Sequence, residues 1–128
     1  MGTLGPRALE RVSGTAWDDL RDVFMQVSNQ LLAVSPAASA ELTTIYVKYT
    51  TTQAPTAPAY AVVWLKTSKQ FVVGLALPED VQHPALCAAP AGMMYKGLTK
   101  YLVVKPGDTI PEDVVLWARL AYETALTD

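Results

Sequence analysis

Cysteine and histidine are almost missing from this chain: Cys87 and His83 are single copies in 128 residues. One thiol excludes an intrachain disulfide, and nothing in this cysteine usage points to an oxidising compartment. One imidazole and one thiol are also fewer ligands than the three or four that a zinc site usually takes from a protein. The pattern around them, "HPALC", places nothing beside His83 to orient its ring for proton transfer, and a loop histidine with a small buried thiol is the expectation. Long apolar runs are absent too, none approaching the roughly 20 residues that cross a bilayer. The opening stretch, "MGTLGPRALERVSG", has no apolar run of the secretory kind followed by a processing site. Pro6 stands where an N-myristoylation motif takes Ser or Thr. A cytoplasmic location without membrane contact is therefore expected.

Charge of a single sign is scarce. Ten basic residues against twelve acidic ones leave a net charge of −2. That lacks the strong basic surplus of a nucleic-acid binder, so nucleic acid is not among the expected partners. The distribution is more informative. All six lysines lie between residues 48 and 105, and all four arginines lie in the flanks. A mildly basic middle suits an anionic ligand, although lysines on strand edges also discourage sheet-to-sheet aggregation.

What is abundant is apolar sequence, 51% of the chain, in a length that fits one core. Residues 1–14 read as a flexible N-terminal segment and 15–128 as a single domain. Thr15 with Asp18 three residues on resembles a capping box. Trp17, Leu20, Phe24, Val27, Leu31 and Val34 then recur at helical spacing, until Ser35-Pro36 ends the run. Three strand-like stretches follow: "LTTIYVKYT" (42–50), "YAVVWLK" (60–66) and "QFVVGLAL" (70–77). The first alternates, with Ile45, Val47 and Tyr49 on one side and Tyr46 and Lys48 on the other. The short "TSK" joins the last two as an antiparallel hairpin. Gly74 in mid-strand marks a bulge or a close backbone approach. "KYLVVK" (100–105) is a further strand, and a last helix starts near Pro111 with Val114, Trp117, Ala118, Ala121 and Ala125 on one face. The expected fold class is α+β: a single antiparallel sheet of about 4–5 strands packed on an N-terminal and a C-terminal helix, the other sheet face partly open.

Between them, "GMMYKGLT" (92–99) is one letter from the phosphate-loop pattern G-x-x-x-x-G-K-[ST]. Leu98 stands where the lysine belongs, and the segment leads into a strand instead of the helix whose N-terminus would meet the phosphates. It reads as a turn. The same residues support a gentler reading, in which Met94, Tyr95 and Lys96 line a groove with Tyr46, Lys48 and Trp64 from the uncovered sheet face. Rings beside amines suit flat or anionic ligands. The competing reading is that Trp64 and the methionines are simply core.

The order "YVKYT", "FVVGLALPED", "PALCAAPAGMMYKGLTKYLVVKPGD" and "VVLWARLAYE" resembles a bacterial family of small α+β domains with no assigned reaction. The resemblance spans roughly residues 17–125. It implies a compact α+β unit and supplies no site, because the family's "G-x-G-H-W-G"-like loop reads "AGMMYKG" here. A more distant similarity to frataxin-like iron carriers implies metal-binding carboxylates on the first helix, whose counterparts are Asp18, Asp19 and Asp22. Acidic residues are also ordinary at the positive end of a helix dipole.

The readings of function are therefore three. The first is a non-catalytic binding or interaction domain for a small anionic or aromatic ligand or a protein partner, with no cofactor. The second is a weak iron carrier using the three aspartates. The third is an enzyme of unrecognised type. Leu116 and Leu120, near the polar side of the last helix, point to a homodimer.

Overall fold

The computed structural model describes residues 2–54, 56–88 and 97–127. In chain order it contains β1 (Thr3–Leu4), α1 (Pro6–Arg11), a 3-10 turn (Thr15–Trp17), α2 (Asp18–Leu32), β2 (Ser39–Thr43), β3 (Tyr46–Thr50), β4 (Ala59–Thr67), β5 (Gln70–Leu75), β6 (Lys100–Val104) and α3 (Asp113–Thr127). The strands form one sheet in the order β1-β2-β3-β4-β5-β6. The β1–β2 pairing is parallel and the others are antiparallel.

The α+β class holds, but the sheet is mixed and, among the described residues, has six strands where about 4–5 antiparallel ones were expected. Two local causes account for the difference. Thr44 adopts φ 55, in the left-handed region, and folds the run 42–50 back on itself so that Thr43 pairs with Tyr46. One expected strand is thus a hairpin. The other addition, β1, has two residues and is too short to show any periodicity.

Residues 3–11, placed by the sequence in a flexible lead-in, are a strand and a helix, and Ala8 and Val12 are fully buried. Polar bonds hold this segment to the body. The last carbonyls of a helix have no partner within it. At the end of α2, the Gly2 N–H donates to Leu32 O at 2.7 Å and the Tyr60 hydroxyl to Leu31 O at 2.8 Å. Arg11 reaches from α1 to Leu65 O, its Nη2 at 2.8 Å, where the β4–β5 ladder shifts register. Its guanidinium also lies 5.2 Å from the Trp17 ring centre.

Thr15 does not cap the first long helix. It opens the 3-10 turn, and α2 begins three residues later with Trp17 at the N-cap and no side-chain cap. Its apolar stripe is nevertheless as spaced: Leu20, Phe24, Val27 and Leu31 are fully buried. On α3, Val114, Trp117, Ala118, Ala121 and Ala125 are all buried. Three alanines on that face let α3 lie close against α2 and the sheet. The same core contains Val47 and Tyr49 of β3, Val63 of β4, and Phe71 and Val73 of β5. Phe24 and Phe71 meet edge to face across this layer, their centres 6.0 Å apart.

Gly74 carries no bulge. It pairs with Val62 on one side and Tyr101 on the other in unbroken register, and the shifts fall instead at Tyr49/Thr50 and Trp64/Thr67.

Candidate functional site

Strand alternation decides which sequence-nominated residues share a face. Tyr46 lies directly opposite Trp64, and Lys48 opposite Val62, on the sheet face away from the helices. That face is not bare. Val62, Trp64, Val72 and Tyr101 form a second buried cluster, with Ile45, Tyr46, Leu98 and Val103 packed against it. Ile45, grouped by the sequence with Val47 and Tyr49, belongs to this opposite cluster because it sits in the Thr44–Ile45 turn. The Tyr46 and Trp64 rings stack at 6.1 Å with their planes 13° apart, and Lys66 Nζ lies 5.4 Å from the Trp64 ring centre. Trp64 is only 8% exposed, and its Nε1 is buried without a hydrogen-bond partner among the described residues.

Lys48 shares that face but serves a different feature. It lines a pocket of about 300 Å³ with Ser39, Glu41, Thr50, Gln53 and Ala54, and neither Tyr46 nor Trp64 is among its described lining residues. Met94, Tyr95 and Lys96 lie outside the described residues.

The three aspartates of the alternative reading are exposed at the start of α2. Asp18 is engaged by Arg21 at 3.0 Å, and the same guanidinium donates to Val12 O and Gly14 O. Among the described residues, no group of three or more His, Cys, Asp or Glu side chains is placed to hold a metal ion.

A larger cavity, of about 640 Å³, lies where the loop after β5 meets the start of β6. Val81, Gln82, His83, Pro84, Leu86, Cys87, Ala88, Thr99 and Lys100 line it. The walls are mainly apolar, with one lysine and one threonine at the β6 side. Each wall has an identifiable anchor. Thr99 ties the two strands together: its hydroxyl donates to Leu77 O at 2.6 Å and accepts from the Leu77 N–H at 3.1 Å. Cys87 forms an antiparallel bridge with Tyr101 through two backbone bonds, at 2.8 and 3.1 Å, and its thiol points at Tyr101 O at 3.3 Å.

His83 is the residue that sequence reasoning undervalued. Its imidazole is oriented from three directions. Nδ1 accepts the Ala85 N–H at 3.0 Å, Nε2 lies 3.5 Å from Asp113 Oδ2, and the ring meets Trp117 edge to face at 5.0 Å. Asp113 and Trp117 belong to α3, thirty or more residues away in the chain, so local spacing carried no signal of the contact. The arrangement also sets the chemistry. A neutral ring that accepts at Nδ1 carries its proton on Nε2. Neither nitrogen is then left to take a proton from Cys87. The histidine fastens the cavity loop to the first turn of α3.

No protein-family model, curated protein or solved structure matches the chain.

Proposed function

We propose that this protein is a non-catalytic binding domain for a small amphipathic anion, such as a carboxylate on a short apolar body, held in the cavity between residues 81–88 and the start of β6. The observation that carries the reading is the composition of that cavity. About 640 Å³ lies within the usual range of small-molecule sites, roughly 300–1,000 Å³. Val81, Pro84 and Leu86 supply apolar wall, while among the described residues Lys100 is the one lysine or arginine in the lining and Thr99 stands next to it. A carboxylate near Lys100 would gain a charge-assisted bond in a partly desolvated place. The hold of Ala85 and Asp113 on His83 favours binding over proton transfer, because it spends both ring nitrogens on the scaffold.

The test is a thermal-shift comparison of hexanoate and benzoate with their uncharged amides. A ligand that prefers the native state raises the melting temperature. Both carboxylates are expected to do so and the amides are not, and Lys100→Met is expected to abolish the shift while leaving the unliganded melting temperature unchanged. Equal shifts from acid and amide, or full retention of the shift in Lys100→Met, would refute the anionic reading.

A further inference from the structure

The outward face of α3 has a symmetry that the cavity does not use. Leu116, Arg119, Glu123 and Leu126 follow one another at spacings of three, four and three, and all four are exposed. This is the narrow stripe by which one helix lies along another. Leu116 and Leu126 are each 56% exposed, among the most open large apolar side chains of the described residues. Leu120, nominated from the sequence beside Leu116, is instead half-buried and packs on the core.

The stripe is complementary to itself in one direction only. Leu116 and Arg119 lie five and two residues before Ala121, while Glu123 and Leu126 lie two and five after it. A second copy laid antiparallel, with the two-fold axis level with Ala121, sets Leu116 against the partner's Leu126 and Arg119 against the partner's Glu123. The two-fold operation makes each contact twice. A parallel pair would instead set arginine on arginine and glutamate on glutamate. The charges are available, since neither Arg119 nor Glu123 makes an ion pair among the described residues. Arginine preceding glutamate by four residues is also the less favourable order for a pair within one helix.

We propose that α3 is the contact helix of an antiparallel homodimer, with Leu116–Leu126 and Arg119–Glu123 as its reciprocal pairs. One helix per copy is a small interface, so the association is a reversible one.

Sedimentation of the full chain over a concentration series tests this. The unmodified protein is expected to pass from monomer to dimer as concentration rises. Arg119→Glu alone, or Glu123→Arg alone, places two like-charge pairs in the contact and is expected to weaken association about tenfold or more. Combining both reversals restores opposite charges and is expected to return association to near its original strength. These exposed sites leave the core untouched, and unchanged circular-dichroism melting curves confirm that every variant folds. A chain that stays monomeric throughout overturns the proposal. So does a dimer that ignores the single reversals, or one that the double reversal fails to restore.

Discussion

The Tyr49 hydroxyl donates to Ser28 Oγ at 2.8 Å, between a strand and a helix whose side chains here are both wholly buried. A serine in mid-helix is ordinarily a poor choice. Here it is the polar answer to a phenol that the sheet carries into the core. Replacing Tyr49 with Phe removes the bond but leaves Ser28 able to turn back to its own helix. The expected loss is about 1 kcal/mol, read from urea denaturation midpoints. Ser28→Ala strands the phenol instead, and is expected to cost more, about 1–3 kcal/mol.

Alkaline pH should unfold the protein through its buried tyrosines. Burial pushes the phenols of Tyr49 and Tyr60 well above the ordinary value of 10.0, and for Tyr60 the neighbouring Tyr49 and Tyr122 add to the effect. Both groups hold their protons more tightly in the folded protein than in the unfolded chain. As pH rises through 10, the unfolded chain releases protons that the native state keeps, so stability falls. Below that value both states are protonated and these groups contribute no pH dependence. Two protons give a limiting slope of about 2.7 kcal/mol per pH unit. Burial raises the Tyr101 phenol as well, so denaturation curves on either side of pH 10 measure the combined slope, and Tyr49→Phe should lower it by about 1.4 kcal/mol per pH unit.

Arg11→Ala should cost about 1–3 kcal/mol, since it strips the Leu65 carbonyl of its guanidinium donors and removes the cation from the Trp17 ring. Arg11→Lys should recover only part, because an ammonium lacks the planar fork. Chemical denaturation of the three proteins measures the difference.

His83→Ala should loosen the cavity loop without unfolding the domain. The Ala85 N–H loses its acceptor, so its hydrogen exchange should accelerate while that of the α2 core amides stays unchanged. Asp113→Asn should act in the same direction more weakly, because this half-exposed contact is worth about 1 kcal/mol or less.

Much of the architecture was legible because apolar residues repeat at helical or strand spacing chiefly where one face is buried. The stripe from Leu20 to Leu31 and the alanine face of α3 are of this kind. What escaped was conditional on tertiary contact. A threonine at positive φ has no signature in "TTIYV", yet it turns one strand into two. Two residues of β1 become a strand only because Ser39 and Ala40 present an edge to them. The candidate site divided along the same line. Alternation placed Tyr46 and Trp64 side by side, as their positions in two strands allow. It could not foresee that Lys48 would line a separate pocket, nor that α3 would supply the carboxylate facing His83.

The two margins of the sheet carry a consequence for handling the protein. One ends in a strand of just two residues, and at the other the backbone of Cys87 pairs with Tyr101, the second residue of β6. Among the described residues, neither offers a long row of vacant amides and carbonyls of the kind on which copies stack into cross-β fibrils. Concentrated solutions are therefore expected to remain free of fibres while the native state persists, with thioflavin fluorescence rising only after the chain has been melted.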